Sequence, residues 1–453
     1  MANRSPKQIK KPPFIRWIEI VDLFGYLNYT IPLKSSNKEA SNRLIMIYGD
    51  NGCGKTTILK LIYSLLSPQR GKGHKTYILE TPFRKISICF DNDVIVSAER
   101  RGEALVGQYF VEIKTKQGVA EFEMNSGNEK GIGWSDTARD LLNELRELST
   151  YIYFLPDDRK ATSTIEADED ENKDEISIYR RLYTNSINIK NINLSENRNE
   201  SHHLNIEPVI DSVNIWFRRH AHQGTFIGEE NATSLYLKII QQVTKSLGKD
   251  AAAQETGAQN LLVDRLVSIS KRIGGFTRFE LIPVFPAEKF LDILSNVTPQ
   301  AKKTITKILE PYIDSIEERL NALDSIRAIL TIFIETLNSL LFPKTIGFTL
   351  KSGIVIRDYS GSEIAASLLS SGEKQLLLLF SNTILFRDTT GIFLIDEPEL
   401  SLNVKWQRSL VDALLACAGD SVQFIMASHS LELITLHKSK AVRLFSRGKI
   451  NNA

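Results

Sequence analysis

Four short stretches carry residues whose types and spacing suit chemistry on a nucleoside triphosphate. The first, Gly49-Asp50-Asn51-Gly52-Cys53-Gly54-Lys55-Thr56, fits G-x-x-x-x-G-K-[ST]. Its glycines let the backbone curl until the N–H groups converge on a phosphate at the positive end of a helix. Lys55 then reaches the β- and γ-phosphates and the Thr56 hydroxyl ligates Mg²⁺, with Asp50, Asn51, Cys53 and Thr57 completing the cradle. The second stretch, Gly391-Ile392-Phe393-Leu394-Ile395-Asp396-Glu397-Pro398-Glu399, is an apolar run ending in two carboxylates. Asp396 suits Mg²⁺, and Glu397 suits the base that orients an attacking water. The third, Ser428-His429-Ser430, ends another apolar run; His429 there can sense a γ-phosphate, or it can be a structural histidine. The fourth, Leu369-Ser370-Ser371-Gly372-Glu373-Lys374-Gln375, opens an apolar helix. Ser370 and Gly372 could bind an anion at that helix start, and the same residues also suit an N-cap with a capping-box acid.

Such groups work only if the elements around them bring them to one place. Leu44 to Tyr48 reads as a short apolar strand and Thr57 to Leu66 as a helix of 3.6-residue period, the context a phosphate loop requires. Ahead of them, Phe14 to Ile20 and Tyr29 to Leu33 read as strands around Asp22-Leu23-Phe24-Gly25-Tyr26. Phe24 or Tyr26 could stack on a base, or pack in the core. Residues 86–123 alternate like several antiparallel strands, and a helix follows from Asp136. Tyr151 to Leu155 is a buried-type strand. The charged turn after it, Pro156 to Arg159, either faces the metal and γ-phosphate or is solvated. Gly391 to Glu397 and Gln423 to Ala427 read as central strands that deliver their last residues to one sheet edge.

Between these halves the chain changes character. Residues 160–205 hold the acidic run Glu166 to Glu171 and an Asn-rich stretch, a composition expected of a mobile surface segment. Residues 206–343 read as mainly helical. Ile316, Leu323, Leu330 and Leu337 recur every seven residues, beside Ile313, Leu320, Ile334 and Leu341, with Arg327 breaking the second seam. The pattern predicts a helix over Tyr312 to Phe342, entered through Pro311. Its about 31 residues would span roughly 46 Å at ~1.5 Å per residue, the size of a hairpin or compact bundle. A coiled-coil seam and an ordinary bundle helix both fit this period.

The bulk properties exclude several classes. The 56 basic and 54 acidic residues leave a formal charge of +2, so no global field draws the chain to nucleic acid. No apolar run approaches the ~18 residues of a membrane span, and the basic N-terminus lacks an apolar segment after it. Cys53, Cys89 and Cys417 lack metal-ligand spacing and suit a reducing compartment, so a cytoplasmic location is expected.

The motifs resemble, in order, those of ABC-type ATPase heads: the phosphate loop, Leu-Ser-Ser-Gly-Glu, apolar-Asp-Glu-Pro-Glu, Ser401-Leu402-Asn403 and Ala-Ser-His-Ser. More narrowly, Asp396 to Leu402 with Trp406-Gln407 is similar to stand-alone AAA-family ATPases of ABC fold. That group includes the ATPase parts of OLD-type nucleases and the ATPase subunits of anti-phage systems such as Septu and PARIS. The resemblance implies an α/β P-loop NTPase fold of ABC-ATPase type: a mixed sheet, an antiparallel β subdomain and a mainly helical, coiled-coil-like insertion. It divides the chain into head halves 14–159 and 344–453, the segment 160–205 and the insertion 206–343. It implies ATP and Mg²⁺ as ligands, Lys55, Glu397 and His429 as catalytic, Thr56 and Asp396 as metal-binding, and Ser370 and Gly372 as the signature. Pro156 to Arg159 takes the place of the Q-loop without containing a Gln, and the signature has Ser371 where transporters have Gly.

In that arrangement two copies associate head-to-tail, each ATP lying between Lys55 of one and Ser370 of the other. The implied role is the sensor ATPase of an anti-phage complex, triggered by a nucleic acid or a phage protein. The stretch after His429 is too short for the nuclease that OLD-type relatives carry, so the effector, a nuclease, is expected on a separate chain. The alternative is an SMC-like ATPase of DNA structure or repair. A transporter subunit is disfavoured by the long separation of phosphate loop and signature, and a non-hydrolysing nucleotide scaffold is the remaining reading.

Overall fold

A strand that is apolar almost throughout must be covered on both faces, and four such strands set the architecture. Leu44–Tyr48 (β3), Tyr151–Leu155 (β8), Gly391–Asp396 (β12) and Val422–Ser428 (β13) lie parallel in one sheet with almost every residue buried. Thr162–Ser163 (β9) and Ala441–Arg443 (β14) complete it in the order β14-β3-β13-β12-β8-β9, β9 alone running antiparallel. The computed structural model describes residues 14–32, 43–69, 73–125, 136–148, 151–157, 162–163, 206–222, 256–283, 288, 290–291, 299–388 and 391–445. The acidic run Glu166 to Glu171, the Asn-rich stretch, Asp158 and Arg159 lie outside these residues.

The chain divides into two compact units. The first comprises Met1–Thr184 with Phe386–Ala453, and the second Asn185–Leu385. In the first unit β8 and β12 are immediate neighbours, Leu155 opposite Ile395, although residues 156–390 separate them along the chain. The chain therefore adds β9 on one side of β8 and later returns on the other side as β12.

A second, antiparallel sheet in the same unit is built from Ile15–Leu23 (β1), Leu27–Pro32 (β2), Lys85–Phe90 (β4), Ile95–Glu99 (β5), Tyr109–Lys114 (β6) and Val119–Met124 (β7), in the order β2-β1-β4-β5-β6-β7. Helix Lys55–Leu66 (α1) packs against β8, β12 and β13 of the parallel sheet and against β5 of the antiparallel one. Its apolar residues Ile58, Leu61, Ile62 and Leu65 are wholly buried, as that double contact requires. Two buried cations hold helix ends here. The Lys75 ammonium, in helix His74–Glu80 (α2), donates to the carbonyls of Ser64, Leu65 and Ser67 at 2.8, 3.0 and 3.2 Å, at the negative end of α1. Arg100 does the same for α2 through Ile78 and Leu79, and burial lowers its guanidinium to about 10. Asp136–Glu147 (α3) completes the packed face with Ala138, Leu141, Leu142 and Leu145.

The second unit contains a helix at residues 207–222 (α4), Thr256–Thr277 (α5), Pro299–Leu341 (α6), and the hairpin Thr345–Thr349 (β10) and Gly353–Arg357 (β11). It ends within helix Ser371–Phe386 (α7), of which all but the last residue belongs to it. Helix α6 has 43 residues, not the span of Tyr312 to Phe342 expected from the sequence, and Pro311 lies inside it. Proline removes one intrahelical bond, to the carbonyl four residues back. Here that residue, Lys307, is exposed, so water can take its place.

The helices α5 and α6 pair through Arg265–Glu317 and Arg272–Asn321, and Arg278 just past the end of α5 reaches Glu335, all at 2.8–3.3 Å, so numbers rise together and the two run parallel. A hairpin of two neighbouring helices would run antiparallel, so the hairpin option does not describe this pair. The Arg327 that breaks the heptad seam lies with its guanidinium 5.3 Å from the Phe276 ring centroid. A Cβ at Gly275 would stand only 3.3 Å from its Cδ, so the glycine leaves room for that stem. Apart from the half-buried Ile316, the apolar seam residues are buried, and so are Ile326, Ile329, Phe333 and Leu340, a stripe wider than two positions in seven. The helix is thus packed as a bundle element. Both edges of the β10–β11 hairpin are met by helix amides: Asn338 exchanges two hydrogen bonds with Ile346, and Asn214 accepts from the Ile354 N–H.

Candidate nucleotide site

The parallel register of the first unit explains how residues distant in sequence meet. Tyr48 stands opposite Ser428, and Ala427 opposite Asp396. The loops that follow β3, β8, β12 and β13 therefore all leave the same edge of the sheet at the same level, which is where open α/β sheets bind ligands.

At that edge the phosphate loop adopts a conformation only glycine permits. Gly52 and Gly54 have φ of 80° and 84°, and Gly54 caps α1. A Cβ at Gly54 would lie 2.9 Å from Leu23, and one at Gly49 would lie 2.9 Å from both Cys53 Sγ and the Leu444 carbonyl oxygen. Tyr29 fixes the loop from beneath: its hydroxyl donates to the Cys53 carbonyl at 2.9 Å, and burial, chiefly, pushes it up to about 12. Lys55 is buried and donates to the carbonyls of Gly49 and Asp50 at 2.8 and 3.1 Å. Asp50 and Asn51 are exposed at the loop tip, and Thr57 hydrogen-bonds Tyr77 from the first turn of α1.

The Thr56 hydroxyl is hydrogen-bonded to Asp396, the buried last residue of β12. Burial chiefly raises the Asp396 carboxyl above its ordinary range, the Thr56 bond opposes this, and the nearby carboxylates of Asp157 and Glu397 raise it further. The turn after β8 therefore brings Asp157 within electrostatic reach of Asp396. A hydroxyl and a buried carboxylate with further carboxylates around them form a hard-oxygen donor set, which fits Mg²⁺. Among the described residues no group of three or more His, Cys, Asp or Glu side chains forms a metal cage. Mg²⁺ bound with a nucleotide needs none, since phosphates and water fill most of its octahedron.

Glu397 has φ of 47°, and its N–H donates to the Ala427 carbonyl at 2.8 Å. This turns the side chain out of the strand, to 3.6 Å from His429 Nε2, with both side chains about one third exposed. Glu399, one residue past Pro398, has a role that the motif does not announce. Its Oε1 accepts from the Ser428 hydroxyl and from the N–H groups of His429 and Ser430 at 2.8, 2.6 and 2.9 Å. The partners lie some thirty positions away, so only the pairing of β12 with β13 reveals them. Asn403 caps Val404–Cys417 (α8) by accepting from the Trp406 N–H.

Phe24 and Tyr26 are 38% and 50% exposed, so neither turn aromatic is a core residue. Phe24 lies beside the phosphate loop: its ring is 3.5 Å from where a Gly54 Cβ would be.

Ser370 and Gly372 belong to the second unit. Ser370 caps α7 reciprocally: its hydroxyl accepts from the Glu373 N–H at 3.3 Å while Glu373 accepts from the Ser370 N–H at 2.7 Å. Lys344 holds the same carboxylate at 2.7 Å. Ser370 is exposed and Gly372 is buried in the first turn.

A family model described as an AAA ATPase domain matches residues 15–434. A "Retron Vc95 probable ATPase" of Vibrio cholerae serotype O1 biovar El Tor is 33% identical over 98 residues, 19% of this chain and 19% of that protein. A "Retron Ec83 probable ATPase" of Escherichia coli is 26% identical over 163 residues, 32% of this chain and 30% of that protein. The chain thus matches less than a third of the length of either relative. Among solved structures, it is similar to a Smc head domain with an extended coiled coil bound to the C-terminal domain of ScpA, from Pyrococcus furiosus. That match has 15% identity and a TM-score of 0.38, and covers 94% of this chain and 92% of the other. A Smc head domain with a coiled coil and joint from Pyrococcus yayanosii has 14% identity and a TM-score of 0.34, covering 94% and 93%.

Proposed function

The chain belongs to the AAA ATPase domain family, and on that premise we propose that it binds and hydrolyses ATP at the sheet edge around Lys55, Asp396 and Glu397. The observation that carries this reading is the placement of Glu397 3.6 Å from His429, just past the strand whose last residue hydrogen-bonds Thr56. The phosphate loop holds the β- and γ-phosphates by its N–H groups, and Lys55 turns from the loop carbonyls to the phosphates. Thr56 and Asp396 would hold Mg²⁺, which would neutralise phosphate charge. Glu397 accepts a proton from the attacking water, and the imidazole of His429 faces the same position.

The site is completed by a second copy. Ser370 and Gly372 lie at the start of a helix whose positive end suits an anion, and the copies associate head-to-tail so that this helix covers the triphosphate held by Lys55 of the other. Binding of ATP joins the copies and hydrolysis separates them. This ATPase serves as the sensor of an anti-phage complex whose effector, a nuclease, is a separate chain; the retron ATPases among its relatives support that setting.

A mixing experiment tests the shared site. Lys55→Ala and Ser370→Arg chains should each be inactive alone. In a mixed dimer one of the two sites carries both defects and the other carries neither, so turnover should return when the two are combined. If no turnover returns although the chains associate, the head-to-tail reading is wrong.

A further inference from the structure

We propose that Glu399 is a positioning residue for His429, acting on the backbone of the histidine rather than on the nucleotide; this rests on the ATPase reading above. One carboxylate oxygen, Oε1, collects three donors: the Ser428 hydroxyl and the N–H groups of His429 and Ser430, at 2.8, 2.6 and 2.9 Å. A carboxylate oxygen has the same two lone-pair sites as an amide oxygen but makes stronger, charge-assisted bonds, which suits it to three donors at once. The three donors span consecutive residues, so the turn that carries His429 has little freedom left, and its imidazole is held 3.6 Å from Glu397.

The same turn is tied further. The Ser430 hydroxyl donates to Gln407 Oε1 at 2.6 Å, and Gln407 Nε2 donates to the Leu402 carbonyl at 2.9 Å. Leu402 in turn donates its N–H to the Glu399 carbonyl at 2.9 Å. Glu399, Ser430, Gln407 and Leu402 thus form a closed circuit of hydrogen bonds beside the ends of β12 and β13, and the His429 N–H joins it at Glu399. Glu399 sits two residues from Glu397 on a turn whose Pro398 restricts the backbone, so it holds the histidine relative to the same strand end that carries the base.

The test uses the full chain with Mg²⁺ and ATP, comparing Glu399→Ala, Glu399→Gln, His429→Ala and the double variant Glu399→Ala/His429→Ala. Freeing the turn should lower kcat on the order of 10- to 100-fold in Glu399→Ala, with KM changed less than about 3-fold. Glu399→Gln, which keeps one acceptor oxygen, should recover part of that loss. The double variant should be no slower than His429→Ala alone, because Glu399 acts through the histidine. Losses that multiply in the double variant, or a KM effect without a kcat effect, would overturn the proposal.

Amide exchange supplies an arm independent of turnover. In Glu399→Gln the peptide covering residues 428–431 should exchange faster while that of α1 stays unchanged; equal exchange in both also overturns the proposal. A wild-type chain that binds ATP without hydrolysing it counts against the ATPase reading alone, and the exchange comparison still decides Glu399.

Discussion

Gln423, wholly buried in the parallel sheet, exchanges two hydrogen bonds with the backbone of Ile15 at the start of the antiparallel sheet, each 2.9 Å long. The amide behaves as a short rung of backbone between the two sheets of the first unit. Replacing it by methionine keeps the length and leaves a buried N–H and C=O on Ile15 without that partner. The Gln423→Met chain should lose about 2–4 kcal/mol of stability, read as a lower urea midpoint at unchanged slope.

In the mechanism proposed above, Glu397 takes the proton from water. Glu397→Gln keeps the shape and removes the base, so phosphate release should slow at least ~100-fold. ATP binding should persist, and sedimentation in ATP should show more of the associated form than wild type shows. Unchanged turnover would remove Glu397 from the role assigned to it.

Lys55 is held by the carbonyls of Gly49 and Asp50, poised within the loop it serves. On the proposed reading Lys55→Ala removes the cation that would face the β- and γ-phosphates, so ATP binding itself should fail in calorimetry. A normal affinity in a folded Lys55→Ala chain would speak against a phosphate loop here.

The Lys344–Glu373 pair gives a pH dependence with a definite sign. Burial works against the charge on Glu373, but the bonds from Lys344 and Ser370 outweigh it and hold the carboxyl below its usual range. A carboxyl whose folded pKa lies below its unfolded one contributes stability that is complete above the unfolded value, about 4.3. That contribution disappears as pH falls through the folded pKa. Lys344→Met should therefore melt below wild type at neutral pH, and the two melting temperatures should converge under acid. A gap that stays constant with pH would place the stabilisation elsewhere.

The separate pieces of the candidate site were legible in the sequence because each is local. The glycines of the phosphate loop, the apolar run closing on Asp396-Glu397 and the capping pattern of Ser370 and Glu373 depend on neighbours a few positions away. Helix extent was less legible. Pro311 reads as a boundary, yet α6 runs through it, since a proline's cost depends on whether the orphaned carbonyl meets solvent, a fact of burial.

What only the tertiary structure decided is which local pieces face one another. Strand pairing sets Thr56 against Asp396, and Glu399 against the turn of His429, across stretches that no period or spacing connects. Side-chain pairs likewise show that α5 and α6 run parallel, while each helix alone presents the same apolar stripe whichever way its neighbour points. A chain's residue types dictate what each segment can bury or bind, but register and direction belong to pairs of segments, and those are settled only when the fold closes.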